Sequence, residues 1–144
     1  MKTMILYASK SGAARECAEL LAARIADCSV CDLSKQATDM DAMNDMDTVI
    51  IGSGVRMGRI YKAARTFVDK NLDKLLTKRT AVYLCNGEPD VFEKIVTKNI
   101  PAELVASSLC VKSFGGKAPF TSSKTQDWIL MDNVNAFIEM VGRG

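Results

Sequence analysis

Short apolar runs alternate with amphipathic stretches along the whole chain, and this alternation constrains the fold more than any other feature. Met4–Ala8 is a continuous apolar run, broken by Ser9-Lys10-Ser11-Gly12. From Ala14 onward Cys17, Ala18, Leu21 and Ile25 recur at steps of three and four, the spacing of one helical face. Ser29–Leu33 reads as a weaker second strand. The polar stretch Ser34–Asn44 reads as a loop or short helix, with Met40 and Met43 available for packing. Thr48–Ile51 is a β-branched strand ending at Gly52. After a glycine-punctuated loop, Ile60, Ala64, Phe67, Val68, Leu72, Leu75 and Leu76 trace a long helix. Ala81–Cys85 forms a fourth strand, closed by the turn signature Asn86-Gly87-Glu88-Pro89. Asp90–Thr97 suggests a short helix before Pro101, and Ser107–Phe114 a fifth strand closed by Gly115-Gly116. Leu130, Val134, Phe137, Ile138 and Val141 mark a last helix.

Strands that alternate with helices imply a parallel sheet covered on both faces, because a parallel strand returns only through a crossover. Strands one, three and four are apolar on both faces, as buried central strands must be. The second carries Ser29 and Asp32, and the fifth Ser108, Lys112 and Ser113, so both suit edges. The expected architecture is an α/β three-layer sandwich with a five-stranded parallel sheet of order 2-1-3-4-5, and residues 1–144 are expected to form a single domain. Ligands of such sheets bind beyond the carboxyl ends of the strands, near the switch between strands one and three. The loops after strands one, three and four are therefore where chemistry is expected.

Composition removes several function classes. The 144 residues include no histidine, which excludes His-based zinc hydrolase sites, Ser-His-Asp triads and imidazole proton shuttles. Lys+Arg 19 against Asp+Glu 17 leaves a net charge of +2 without a basic run, so no nucleic-acid partner is expected. The N-terminal apolar run is too short for a secretion signal, and nothing approaches the roughly 20 apolar residues that span a bilayer. A cytoplasmic protein without an integral membrane segment is the expectation. Cys17, Cys28, Cys31, Cys85 and Cys110 are an odd set among apolar neighbours and read as reduced, mostly buried thiols. Cys28-x-x-Cys31 falls where a helix feeds a strand, without the helix N-terminal field that activates redox pairs. No second pair completes it as a zinc site. No metal ligands and no catalytic residue are assigned.

Tyr7-Ala8-Ser9-Lys10-Ser11-Gly12-Ala13-Ala14-Arg15 joins the first strand to the first helix. Two hydroxyls, a glycine and free backbone N–H groups at a helix N-terminus suit a phosphate, although a serine there is as often an ordinary N-cap. The loop lacks the Gly-Lys-[Ser/Thr] of a Walker A loop, and Gly12 stands alone, unlike a dinucleotide fingerprint. Gly52-x-Gly54-x-x-x-Gly58 is one residue too long for that fingerprint, and these glycines also suit a tight strand-to-helix turn. Phosphorelay receivers need acidic residues where Ala8, Ser9 and Gly52 stand. A Cys-x5-Arg phosphatase loop fails because Val91, not arginine, lies six residues after Cys85.

The stretch Ile5-Leu6-Tyr7-x-Ser9-x-x-Gly12-x-Ala14-x-x-x-Ala18-x-x-Leu21 resembles the flavodoxin signature, with Ala14 where the family has threonine. Ile51-Gly52-Ser53-Gly54-Val55-Arg56-Met57-Gly58-Arg59 resembles more narrowly the flavodoxin-type protoporphyrinogen dehydrogenase branch, whose loop reads hydrophobic-Arg-aromatic-Gly. Ala63 and Phe67-Val68 fit the helix that follows in that branch. The resemblance is weak after Gly116, where the long basic and aromatic insertion of the branch is replaced by Gly115–Thr121.

The resemblance implies a flavodoxin-like fold and an FMN cofactor. The phosphate would sit on Ser9, Lys10, Ser11, Gly12, Ala13 and Ala14, and the missing threonine hydroxyl removes one hydrogen bond, about 1 kcal/mol net. Ser53, Gly54, Val55, Arg56, Met57 and Gly58 would line the flavin. Met57 takes the place of a stacking aromatic ring, and Met57-Gly58 matches the peptide whose carbonyl turns toward flavin N5 on reduction. Asn86, Gly87 and Glu88 would offer backbone groups to the pyrimidine end, with no tyrosine following to cover the ring. The implied function is carriage of electrons or hydride equivalents, as a shuttle or as a small oxidoreductase related to protoporphyrinogen dehydrogenase. The alternative is a flavodoxin-like interaction module without flavin chemistry, which Ala14 and the missing aromatics would suit. Lys10, Arg15, Arg56, Arg59 and Lys117 are expected near the flavin edge, where they favour a redox partner protein or a small acidic substrate.

Overall fold

The computed structural model describes residues 1–35, 44–116 and 127–142, so Met40, Met43 and Lys117 lie outside the described residues. The elements run β1 (Thr3–Ala8), α1 (Ala13–Arg24), β2 (Cys28–Asp32), β3 (Thr48–Arg56), β4 (Arg59–Ile60), α2 (Lys62–Leu75) and β5 (Arg79–Cys85). A 3-10 turn at Pro89–Val91 leads into α3 (Phe92–Asn99), followed by α4 (Ala102–Ser107), β6 (Val111–Ser113) and α5 (Met131–Gly142).

The strands pair in the order β2-β1-β3-β5-β6, all parallel, and β4 folds back antiparallel on the end of β3. With β4 set aside this is the expected 2-1-3-4-5 sheet. Strand alternation sorts the side chains into two cores. Ile5, Tyr7, Ile50, Ala81 and Tyr83 pack with Cys17 and Leu21 of α1 and Val134 and Phe137 of α5. On the opposite face Leu6, Ala8, Val49, Ile51, Val82 and Leu84 meet Ala64, Phe67, Ile95 and Leu104 of α2, α3 and α4. Each Leu or Ile buried in this way is worth about 1.5–3 kcal/mol relative to exposure, so the sheet is held from both sides.

Two segments differ from the sequence expectation. β3 does not stop at Gly52 but runs on through Arg56. Glycine ordinarily weakens a strand, yet here the missing side chains are occupied by neighbouring rings. A Cβ on Gly52 would collide with the Tyr83 ring, and one on Gly54 would meet the Tyr61 ring at 2.6 Å. Ile60 consequently belongs to β4 and not to the helix. The fifth strand of the sequence reading is also shorter: Ser107 ends α4, and regular pairing with β5 holds only Val111–Ser113. The Pro101 carbonyl accepts the N–H groups of Leu104 and Val105 and starts that turn. Only Leu104 of the Leu104-Val105 pair is fully buried, as one helical face requires.

Candidate functional site

Register brings the three expected loops together. β1 pairs β3 with Ala8 opposite Ser53, and β3 pairs β5 with Ser53 opposite Leu84 and Gly54 opposite Cys85. Ser9, the end of β3 and Asn86 therefore stand side by side at the carboxyl edge of the sheet, on strands about 4.8 Å apart.

The first loop is closed on itself by its own hydroxyls. Ser9 Oγ accepts the Gly12 N–H at 3.0 Å, and Ser11 Oγ accepts the Ala13 N–H at 3.4 Å. Gly12 caps α1 with φ +91, a left-handed conformation that a side chain would strain, and its carbonyl accepts Glu16 N–H. Ala13 and Ala14 are buried, so these two positions face any ligand only through their backbone. The loop is fixed from below by Tyr83, which is completely buried and donates its hydroxyl to the Ala14 carbonyl at 2.8 Å. Burial holds that phenol well above its ordinary range, so it stays a donor. Its ring stacks on Phe114 at 4.8 Å, and Phe137 closes edge-on against both rings.

The third loop is shaped in the same self-contained way. Asn86 Oδ1 accepts Glu88 N–H and its Nδ2 donates to the Glu88 carbonyl at 2.7 Å, while the Asn86 carbonyl accepts from Ser113 Oγ. Asn86 is buried, and Gly87 and Glu88 stand exposed above it.

The second loop has a different character. Met57 (φ 53) and Gly58 (φ 76) are the two-residue tip of a hairpin in which Arg56 faces Arg59. Positive φ at both central positions is a type I′ turn, the form whose twist suits paired strands. Met57 is 91% exposed at that tip, and holding methionine in this conformation costs about 1 kcal/mol. The like charges of Arg56 and Arg59 add about 0.2–1 kcal/mol against the hairpin. Its base is tied down by buried Ser53, whose Oγ donates to the Gly54 carbonyl and accepts Tyr61 N–H, and so faces the fold. Its tip is tied to α3 by Asn99, whose Nδ2 donates to the Gly58 carbonyl at 2.9 Å and whose Oδ1 accepts Ile60 N–H. Beside the hairpin lies an open depression of about 410 Å³ whose lining includes Lys10, Arg56, Arg59, Lys62 and Arg65 around Tyr61.

Of the residues expected at the site, Ser9, Lys10, Ser11, Gly12, Ala13 and Ala14 form one cradle, and Asn86, Gly87 and Glu88 a second rim. Ser53, Gly54 and Val55 continue the sheet between them, and Arg56, Met57 and Gly58 project beyond it on the hairpin. The sequence reading missed Tyr61, Lys62, Arg65, Tyr83 and Asn99. Arg56, Arg59, Lys62 and Arg65 recur at every third residue, a signal that could have marked the depression. Nothing local marks Tyr83 or Asn99, which act across the fold. Among the described residues no cluster of His, Cys, Asp and Glu could hold a metal, and no helix is long and apolar enough to cross a membrane. Cys17, Cys85 and Cys110 are buried and Cys28 and Cys31 partly so, all as free thiols.

Comparison with known proteins gives the family and the fold. The family described as Flavodoxin domain matches residues 4–135. Protoporphyrinogen IX dehydrogenase (quinone) of Escherichia coli strain K12 is 30% identical over 88 residues, which cover 60% of this chain and 49% of that protein. The chain thus spans about half the length of the curated relatives it matches. Oxidised Flavodoxin 1 from Bacillus cereus superposes with a TM-score of 0.58 at 18% identity, over 100% of this chain and 99% of that one. A flavoprotein from Lactobacillus acidophilus NCFM, solved in complex with FMN, gives 0.56 at 20% identity, over 78% of this chain and 92% of that one. These structural likenesses establish the fold.

Proposed function

The chain belongs to the flavodoxin domain family, and on that premise we propose that it binds FMN at the carboxyl ends of β1, β3 and β5 and carries electrons or hydride equivalents. The observation that carries this reading is the β1–α1 cradle. Two serine hydroxyls and the Gly12 and Ala13 N–H groups converge at the start of α1, where the helix dipole also favours an anion. A phosphate fits this donor set. It would take over the N–H groups now bonded to Ser9 and Ser11, whose hydroxyls then turn to donate to it. Ala14 contributes only its backbone, since its side chain is buried and carries no hydroxyl.

When bound, FMN supplies the reversible redox chemistry, and the protein supplies binding, orientation and charge. Gly87 and Glu88 would present backbone groups to one edge of the ring system. Ser53, Gly54 and Val55 would wall the other through the backbone, and Arg56 and the Met57-Gly58 peptide would border it from the hairpin. Lys10 and Arg56 would favour negative charge on the ring. A small oxidoreductase acting on an acidic molecule is the form of the function that this basic border supports. The E. coli relative makes a porphyrinogen with a quinone acceptor the first pair to screen.

The test is a visible spectrum of the purified chain titrated with FMN, with riboflavin as control. Flavin bands that survive desalting, with FMN far tighter than riboflavin, are expected from a phosphate cradle. No binding at tens of micromolar FMN would overturn the reading and turn the search to protein partners.

A further inference from the structure

The depression beside the hairpin is lined by five cations, Lys10, Arg56, Arg59, Lys62 and Arg65, and by no acidic residue among the described residues. None of the five forms an ion pair among the described residues. Two placements work against the folded chain when taken alone. Arg56 and Arg59 face each other across a two-residue turn, a like-charge pair. Lys62 and Arg65 occupy the first turn of α2, which carries no acidic residue, at the helix end where the dipole disfavours cations. Lys10 Nζ stands 5.1 Å over the Tyr61 ring, which draws it from the cradle loop toward the depression. An anion seated here offsets both costs and meets Lys10 as a further cation.

We propose that this depression, which adjoins the β1–α1 cradle through Lys10 and the hairpin through Arg56 and Met57, is a binding site for a small organic polyanion carrying at least two carboxylate or phosphate groups. A singly charged anion would leave most of the cations unmatched. Three guanidinium groups favour planar, bidentate oxygen pairs. Ile60, Tyr61 and Met57 add apolar contact, which calls for an organic body on the anion. The depression is open and holds about 410 Å³, room for a small anion but not its enclosure, so charge carries the recognition. That the polyanion is the redox substrate of the neighbouring flavin rests on the FMN reading; the site itself does not.

The experiment is calorimetric titration of the full chain, with and without saturating FMN, using benzene-1,3,5-tricarboxylate, inorganic pyrophosphate and benzoate. At least one polyanion should bind at least about tenfold tighter than benzoate and weaken steeply with added salt. A preference for the tricarboxylate assigns a carboxylate ligand, and a preference for pyrophosphate a phosphate. Arg59→Gln with Arg65→Gln should abolish the binding while leaving FMN affinity unchanged and, since both charges work against the fold, without lowering the thermal unfolding midpoint. Arg59→Lys with Arg65→Lys should keep most of it, and Lys62→Gln alone should weaken it severalfold. The site is overturned if neither polyanion outbinds benzoate, if the double glutamine variant binds as the parent does, or if FMN displaces the polyanion. Polyanion binding without FMN binding would sink the flavin reading and leave this site standing, and the reverse would sink this site alone.

Discussion

The first and second loops lie at the same edge of the sheet and are built on opposite terms. The β1–α1 cradle rests on buried alanines, satisfies its own N–H groups with two serines and is bolted to β5 by Tyr83. The β3–β4 hairpin holds an exposed methionine at positive φ and sets one arginine against another. Among the described residues its side-chain hydrogen bonds to the rest of the fold come from Ser53 and Asn99. The cradle is shaped in advance, so a small group entering it costs little reordering. The hairpin gives up stability for exposure and charge, which is the pattern expected where a changing partner is met.

The contrast breaks most readily at Gly12. Gly12→Val forces a β-branched residue into φ +91, and FMN affinity should fall by about 100-fold, roughly 2.7 kcal/mol, with the far-UV spectrum retained. Unchanged affinity would mean that the cradle is not the phosphate site. Next in size is Gly52→Ala, which drives a methyl group into the Tyr83 ring. A loss of about 1–3 kcal/mol in urea unfolding is expected, since an overfilled core must shift. Parental stability would show that the ring has room to move.

The hairpin should respond with the opposite sign. Met57→Asn places at positive φ a residue that the type I′ turn prefers, and should stabilise the chain by about 0.5–1 kcal/mol in the same assay. A loss of stability would show that the Met57 side chain makes a contact worth more than the strain.

The smallest effect is a pH dependence of the core beneath α1 and α5. Burial pushes the Cys110 thiol up to about 11 and holds the Tyr7 and Tyr83 phenols above their usual range. All three belong to the core beneath α1 and α5. The folded chain keeps these protons where the unfolded chain releases them, so the stability they contribute is complete below about pH 9 and is lost as pH rises from there toward 11. The urea midpoint should therefore be lower near pH 10.5 than near pH 8, and Cys110→Ala should flatten the slope. An equal midpoint at both pH values would contradict the burial of these groups.

The sheet order was legible because central and edge strands differ in composition, as Ile50 and Ile51 differ from Ser29 and Asp32. The cradle was legible because its donors lie within a few residues of one another. The length of β3 was not, since Gly52 and Gly54 read as a loop until Tyr83 and Tyr61 arrive from other segments to fill the space. Asn99 was invisible for the same reason: its partners at Gly58 and Ile60 are some forty positions away. Arg56-x-x-Arg59-x-x-Lys62-x-x-Arg65 was in plain view, but it crosses from a hairpin into a helix, and no single-element periodicity joins those residues.

The Tyr83 bond to Ala14 spans 69 residues of sequence, and this sets an order of events during synthesis. A chain leaving the ribosome N-terminus first exposes β1 and α1 early, yet their anchor follows only with β5. The rings that clasp Tyr83 come later still, Phe114 beside β6 and Phe137 in α5. The nascent N-terminal half thus carries an unbraced cradle until β5, Phe114 and α5 have followed it.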